Sequence, residues 1–335
     1  MNKEELNALT ERIALLIEHE RSTNPDIHSI EPKHAPLFAQ IISNYNLKKS
    51  QDEHPEAEMI YLGAPTGAGK DTLVRKIIQD NPEKNYIVLN MDMFRHYHDE
   101  IVGQSESISD KDFAYKTNQT SYAIYYMIQE IILNEFPGTN VIVTGTMKDL
   151  DWVKEIVTRY KNDAKTHYSI SLATLAVPIN ESAFSIFERY LNMVNTRDSS
   201  GDPLRYTDLT YHNDTTKEFI SNVQFFENDL HLNKQSGFFD SIKVYRRNSN
   251  LFDLSEKTLL YDSLNPDPQK CASAHLHDIM YSTHDISTTR IAGLLNLVKD
   301  NAAYLKEQGL YKDVLVSLEQ TLPLFNRGQD DVAKE

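Results

Sequence analysis

The residues in this sequence best suited to chemistry form the run GAPTGAGKDT at positions 63–72. The apolar residues 59–62 precede this run and a helical pattern follows it, which is the setting of a phosphate-binding loop. Glycines let the backbone wrap around an anion, so that N–H groups and the next helix N-terminus point at phosphate oxygens. The run therefore predicts a loop that binds a nucleoside triphosphate through Thr66, Gly67, Ala68, Gly69, Lys70, Asp71 and Thr72.

Two positions in the loop differ from the usual GxxxxGK(S/T) pattern. Ala64 occupies the first glycine position, and Asp71 occupies the position whose hydroxyl normally ligates magnesium. A carboxylate can also bind Mg²⁺, and Thr72 supplies a hydroxyl one place later, so we expect Asp71 and Thr72 to hold the metal. The alternative interpretation is a glycine-rich turn that binds no ligand.

Composition limits the classes of partner. Of 335 residues, 34 are Lys or Arg and 49 are Asp or Glu, a formal net charge of −15 that disfavours nucleic acid and anionic membranes. The single cysteine, Cys271, cannot form an intramolecular disulfide, which favours a reducing compartment. The acidic N-terminus lacks the apolar block of a signal peptide, and no run is long enough to span a bilayer.

The hydrophobic pattern predicts an α/β fold. Short apolar runs at 59–62, 86–89, 141–143, 170–177 and 242–245 alternate with helix-length segments, which favours a parallel sheet flanked by helices. Helical periodicity at 3–21, 35–47 and about 266–324 predicts helices before and after this core. We therefore predict an N-terminal helical extension (1–57), an α/β core that carries the phosphate-binding loop (58–250) and a C-terminal helical extension (251–335).

Charged residues near two predicted strand ends could complete a site. Asp92 follows the second strand, and the carboxyl edge of such a sheet is where ligands bind, so Asp92 is a candidate base. Its alternative role is to cap a helix. After the fourth strand, Asn180 is predicted to cap a helix that carries Arg189. A polar segment, 195–203, follows with the composition of a lid and leads to Arg205. Two arginines beside a lid suit phosphoryl transfer.

Several motifs, in order along roughly residues 59–250, resemble those of the zeta toxins, toxin–antitoxin kinases that phosphorylate UDP-N-acetylglucosamine. The loop is similar to the family's AGPNGAGKST. Residues 90–99 are similar to D-x-D-x-F/L-R-x-x-H-P and keep Asp92, Arg95 and His98. Segments 176–178, 187–190, 205–212 and 236–242 are similar to the family's A-V-P, E-R-Y, R-A-T-x-x-x-x-H and G-L-F-D-x-I.

The resemblance implies that the core, residues 58–250, is a P-loop kinase-like domain, and that the protein is an ATP-dependent kinase with Mg²⁺. ATP and Mg²⁺ would bind at residues 67–72, and Asp92 would accept the proton of the 3′-hydroxyl of the amino sugar, so that the product no longer serves cell-wall synthesis. The resemblance assigns Lys70, Arg189 and Arg205 to the transferring phosphoryl group. It assigns Arg95, Thr117, Asn118, Thr146 and Lys148 to the acceptor pocket. It also implies an antitoxin protein as partner and action in a bacterial cytoplasm, by a resident or an exported protein.

Two alternatives to this function follow from positions at which the sequence differs from the family's motifs and from the usual loop pattern. Thr144 stands where the family has a glutamate, and Lys148 stands where an arginine is usual, which favours another small acceptor: an NAD-type cofactor, a nucleotide or an antibiotic. Ala64 and Asp71 favour a catalytically silent nucleotide-binding module whose terminal helices dock a protein partner.

Overall fold

A computed structural model describes residues 1–47, 50, 52–103, 108–196, 206–233, 237–247, 257–265, 270–282 and 286–321. Its centre is a six-stranded sheet in the order β2-β3-β1-β4-β5-β6. The strands are β1 (Glu56–Gly63), β2 (Ile87–Asn90), β3 (Val141–Gly145), β4 (His167–Ala176), β5 (Ser241–Arg247) and β6 (Lys257–Asp262). The first five pair in parallel and β6 pairs antiparallel to β5. The predicted α/β fold with a parallel sheet is confirmed.

Thirteen α-helices lie within the described residues. In chain order they are α1 (Lys3–Thr23), α2 (Ala35–Asn44), α3 (Lys70–Asp80), α4 (His98–Val102), α5 (Asp110–Lys116), α6 (Asn118–Glu135), α7 (Leu150–Lys161), α8 (Ile179–Asn195), α9 (Leu209–Leu232), α10 (Ala272–Met280), α11 (Thr288–Asp300), α12 (Ala302–Glu307) and α13 (Tyr311–Thr321). Four short 3₁₀ helices accompany them, at Pro25–Ile27, Pro32–His34, Pro82–Lys84 and Met91–Tyr97. None of the described helices combines the length and apolarity that a bilayer crossing demands.

Side chains of the central strand alternate between the two faces of the sheet, as the two-residue period of a strand requires. Met59 and Tyr61 belong to a large hydrophobic cluster that includes buried residues of α1, α2 and α6. Ile60 and Leu62 belong to a second cluster, which contains α3. A third cluster joins α8 to α11, α12 and α13. Helices therefore cover both faces of the sheet.

The N-terminal helices pack against the sheet, whereas the last three described helices pack against another helix. Helices α1 and α2 share the large cluster with β1, and α11–α13 pack on α8. The sequence analysis missed β6, which lies in the predicted C-terminal helical extension. It is a short edge strand whose pairing depends on backbone groups of β5, and helical periodicity further along the chain gives no indication of it. The predicted domain boundaries stay predictions.

Candidate functional site

The predicted phosphate-binding loop connects β1 to α3. Gly67 and Gly69 have φ of +78° and +93°, in the left-handed region that glycine adopts at low cost. The Ala68 N–H donates to the Pro65 carbonyl at 3.2 Å and closes the turn, and Gly69 is the N-cap of α3. A left-handed glycine at this junction directs the chain into a helix whose N-terminus faces the loop, the arrangement that favours an anion.

The first turns of α8 lie against the same loop. A Cβ atom on Gly67 would come within 2.1 Å of the Ser182 carbonyl oxygen and within 2.9 Å of Ile186 Cγ1. Backbone of one element therefore touches backbone of the other, and only glycine fits between them. This contact makes α8 one wall of the loop, which the sequence pattern did not indicate.

Lys70 lies where the loop enters α3. Its Nζ donates to the carbonyls of Ala64 at 2.9 Å and Pro65 at 3.2 Å. These bonds hold the ammonium group over the loop, where it could exchange carbonyl oxygens for phosphate oxygens.

Asp71 and Thr72, which follow Lys70, differ in how well they could bind Mg²⁺. Asp71 is exposed in the first turn of α3, and Mg²⁺ usually takes one or two carboxylates together with substrate phosphates. Thr72 is 3% exposed, and its hydroxyl accepts from Arg75 Nη2 at 3.4 Å. Asp71 is therefore the more accessible ligand, and both metal assignments stay predictions.

Asp92 lies at the same edge of the sheet as the loop. It follows β2, whose last residue, Asn90, is in register with Thr144 of β3, and Thr144 is in register with Leu62 of β1. The Asn90 side chain accepts from the Asp92 N–H at 3.0 Å and caps the 3₁₀ helix that starts at Met91. The capping role considered for Asp92 thus belongs to Asn90, and the Asp92 side chain is 37% exposed.

Arg95 links Asp92 to the junction of α5 and α6. Its Nε donates to Asp92 Oδ1 at 2.8 Å, and Nη1 donates to the Ala114 carbonyl at 2.6 Å and to Thr117 Oγ1 at 2.9 Å. Nη2 lies 3.4 Å from Asn118 Oδ1. The structure thus brings four predicted site residues together, but Arg95 and Thr117 are buried and bond to protein groups, whereas Asn118 is exposed.

The two remaining acceptor candidates follow β3. Thr146 and Lys148 are half-buried, and the carbonyl of Lys148 accepts from the Asn222 amide of α9. Lys148 Nζ lies 4.6 Å from the centre of the Tyr211 ring, so this cation packs on an aromatic face at the start of α9. Thr144, at the position of the family's glutamate, is 8% exposed.

Of the two arginines near the predicted lid, the structure describes only Arg189. Arg189 is half-buried on α8, and Arg205 with most of the predicted lid lies outside the described residues. The prediction that Asn180 caps this helix is wrong: α8 begins at Ile179 with Pro178 as N-cap, and Asn180 Oδ1 accepts from the Glu181 N–H at 2.9 Å. Helix boundaries inferred from sequence are commonly displaced by one or two residues.

The sequence analysis missed a group of buried ions behind the loop. Arg247 at the end of β5 donates to the carbonyls of Gly67 and Ala68, and its partner is Glu181 of α8, which also pairs with Arg290 of α11. One signal was present: Glu181, Ser185 and Glu188 are spaced by four and three residues, so they share one face of a largely apolar helix. Such a stripe predicts a cationic partner without identifying it.

The fold and this edge of the sheet define a P-loop kinase-like α/β protein. The chain belongs to the zeta toxin family, whose model matches residues 42–263 and so spans every strand from β1 to β6. A search of curated protein sequences found no match.

Solved structures show the same fold. The chain is similar to a structure from work on the PezAT chromosomal toxin–antitoxin system of Streptococcus pneumoniae, with a TM-score of 0.55 and 21% identity over 85% of this chain and 97% of that one. It is also similar to the AvrRxo1-ORF1:AvrRxo1-ORF2 complex solved with sulphate ions, with a TM-score of 0.50 and 10% identity over 84% and 85% of the two chains. At these identities the likeness concerns the fold.

Proposed function

We propose that this protein is a kinase that transfers the γ-phosphoryl group of ATP to the 3′-hydroxyl of the amino sugar in UDP-N-acetylglucosamine. The observation that supports the proposal best is the placement of Lys70 and Asp92 at one edge of the sheet, where they follow β1 and β2, two strands separated only by β3. Neighbouring strands are spaced by about 4.8 Å, so the two strand ends lie about 10 Å apart, a span that suits a phosphate and an acceptor hydroxyl.

In the proposed reaction the acceptor oxygen attacks the γ-phosphorus, the bond to the β–γ bridging oxygen breaks, and ADP leaves. The hydroxyl proton passes to the Asp92 carboxylate, which Arg95 holds at 2.8 Å. Lys70, Arg189 and Arg205 would bind the transferring group. Bound Mg²⁺, with Asp71 as its protein ligand, would neutralise charge on the β- and γ-phosphates.

The test is incubation of the purified protein with Mg-ATP and a panel of UDP-sugars, NAD and nucleosides, followed by mass spectrometry. We expect one phosphoryl group on a UDP-amino sugar, and no product from the Asp92→Asn variant. A product on another acceptor would keep the mechanism and change the substrate. Intact ATP binding without any product would support the silent nucleotide-binding module instead.

A second acceptor class is favoured by one observation. Thr144 places a neutral, buried hydroxyl at the end of β3, where the resembling motif has a carboxylate. Loss of a negative charge at this point changes which hydroxyl or amide of an acceptor can be recognised. NAD-type cofactors and other nucleotides therefore belong in the panel.

An antitoxin partner and cytoplasmic action belong to the same proposal. The family is named for toxins, and the structure from Streptococcus pneumoniae comes from a toxin–antitoxin system. We expect that producing this chain in a bacterium arrests growth and that the Lys70→Ala variant does not. Equal growth arrest by the wild-type protein and the Lys70→Ala variant would contradict a phosphoryl-transfer mechanism of toxicity.

A further inference from the structure

The last residue of β5 reaches the phosphate-binding loop from behind. The Arg247 side chain is 0% exposed, and its Nη1 donates to the Gly67 carbonyl at 2.9 Å and to the Ala68 carbonyl at 3.1 Å. An arginine is buried only where several acceptors compensate its lost hydration. Here two of those acceptors are main-chain groups of the loop itself.

These two bonds set the orientation of two peptide groups. A peptide unit is planar and trans, so its C=O and N–H point in opposite directions. Holding the Gly67 carbonyl therefore directs the Ala68 N–H, which closes the turn onto Pro65. Holding the Ala68 carbonyl directs the Gly69 N–H to the side away from Arg247. The two bonds from Arg247 thus fix the shape of the loop.

The position of Arg247 depends in turn on a carboxylate shared by two arginines. Arg247 Nη2 donates to Glu181 Oε1 and, at 3.1 Å, to Ser185 Oγ. The same Glu181 oxygen accepts from Arg290 Nη1 at 2.8 Å, and Arg290 Nη2 bonds to Glu188 at 2.8 Å. Two cations and two carboxylates therefore compensate one another.

Arg290 belongs to α11, far from the loop in the sequence. Its guanidinium lies 4.9 Å from the Phe184 ring centre, and α11 shares a hydrophobic cluster with α8. Its side chain is 28% exposed, whereas that of Glu181 is 2% exposed. The contacts run without a gap from α11 through α8 and β5 to the loop.

We propose that Arg290 is a positioning residue for the phosphate-binding loop and acts through Glu181 and Arg247. The C-terminal helices α11–α13 are then part of the nucleotide site. This inference rests on the proposed binding of ATP at the loop. Loss of Arg290 removes one of the cations that hold Glu181, the Arg247 guanidinium shifts, and the two peptide groups lose their fixed orientation.

The test compares ATP binding by Arg290→Ala and Arg290→Lys with binding by the wild type, using calorimetry on full-length protein. The matched control is Asp313→Asn, which removes the exposed Lys111–Asp313 ion pair (2.8 Å) that ties α13 to α5 without approaching the loop. Thermal unfolding of the same samples identifies folded variants. Steady-state kinetics give the KM values of ATP and acceptor separately.

We expect Arg290→Ala to raise the Kd for ATP about tenfold, the scale of one charge-assisted hydrogen bond, and to raise the KM of ATP but not of the acceptor. Arg290→Lys should recover part of this loss, because a lysine can meet one carboxylate but not both in a forked arrangement. Asp313→Asn should change the Kd less than twofold.

Wild-type affinity in folded Arg290→Ala, or an equal loss in Asp313→Asn, would overturn the positioning role. If Arg290→Ala does not fold, Arg290→Lys decides on the same terms: unchanged Kd overturns the inference. A wild type that binds no ATP would instead remove the proposed function, on which the inference depends.

Discussion

Each side of the candidate site contains an arginine that donates to backbone carbonyl groups and also to a carboxylate. On the side of the predicted phosphate-binding loop, Arg247 holds the Gly67 and Ala68 carbonyls and pairs with Glu181. On the side of the proposed acceptor pocket, Arg95 holds the Ala114 carbonyl and pairs with Asp92. Both guanidinium groups are buried, with side-chain exposures of 0% and 7%. The arginines therefore resemble each other closely.

The carboxylates differ. Glu181 is 2% exposed and accepts from Arg247 and Arg290, whereas Asp92, which accepts from Arg95, is 37% exposed. A carboxylate enclosed by cations compensates charge, but one that keeps an accessible face can also accept a proton from a ligand. The same pair of residue types thus suits a structural role on one side and a chemical role on the other, and exposure is what separates them.

The largest effect is expected from Lys70→Ala. In the proposed reaction the variant loses a cation that serves both the bound nucleotide and the transition state, so we expect turnover to fall by about 10³- to 10⁵-fold, the scale of one cation placed on a transferring phosphoryl group. Secondary structure measured by circular dichroism should not change, because the Lys70 bonds to the Ala64 and Pro65 carbonyls lie in the loop, outside the helices and strands. Full kinase activity in this variant would remove Lys70 from the mechanism.

Asp92→Asn tests the acceptor side. The amide cannot accept the hydroxyl proton, so turnover should fall by about 10² to 10⁴, the usual contribution of a general base. ATP affinity should stay the same, and stability should change by less than about 1 kcal/mol because the pair is partly exposed. Near wild-type turnover would leave Asp92 with a positioning role at most.

Glu181→Gln is the corresponding change on the phosphate side, and its main effect should be on stability. It leaves the buried Arg247 without its anionic partner, so we expect the free energy of unfolding to fall by about 3 kcal/mol or more. Urea denaturation of both variants measures the contrast. Equal losses of stability in Glu181→Gln and Asp92→Asn would break the comparison.

Asp110→Asn sharpens the comparison at the start of α5. Asp110 Oδ2 accepts from the Tyr190 hydroxyl at 2.7 Å and from the Tyr304 hydroxyl at 2.6 Å. Asp110 as a whole residue is 8% exposed. An amide accepts more weakly than a carboxylate, so unfolding should cost about 1 to 2 kcal/mol less. The KM of the acceptor should rise more than that of ATP. The reverse order would place α5 on the phosphate side.

His212 gives the smallest expected effect, which depends on pH. Burial lowers its pKa below the usual 6.5, and its Nε2 lies 2.9 Å from Ser182 Oγ, beside the loop. Because the unfolded chain binds the proton more readily, this contribution to stability is fully present above pH 6.5 and is lost as the pH falls from that value through the lowered pKa of His212 in the folded chain. Melting temperatures measured between pH 7.5 and pH 5, about the range in which histidine titrates, should fall less with pH in His212→Gln than in the wild type. Parallel curves would show that His212 does not titrate on unfolding.

Much of this site could be predicted because its signals are local. The glycines, Lys70 and the flanking strand and helix are contiguous, and Asp92 directly follows an apolar run. The parallel sheet follows from alternating apolar and helical segments, and the structure confirms it. The edge strand β6 was missed, because its six residues form a strand by pairing with β5 and carry no strong pattern of their own.

Sequence by itself determined the class of chemistry: a phosphate-binding loop, a carboxylate at the same edge of a parallel sheet, and the ordered motifs of the zeta toxin family. Only the tertiary structure decided which arginines support that chemistry. Arg247 and Arg290 resemble any other arginine in the sequence, and they gain a role because folding brings β5, α8 and α11 together behind Gly67. Burial and hydrogen bonding give a charge its function, and both depend on contacts between residues far apart in the chain.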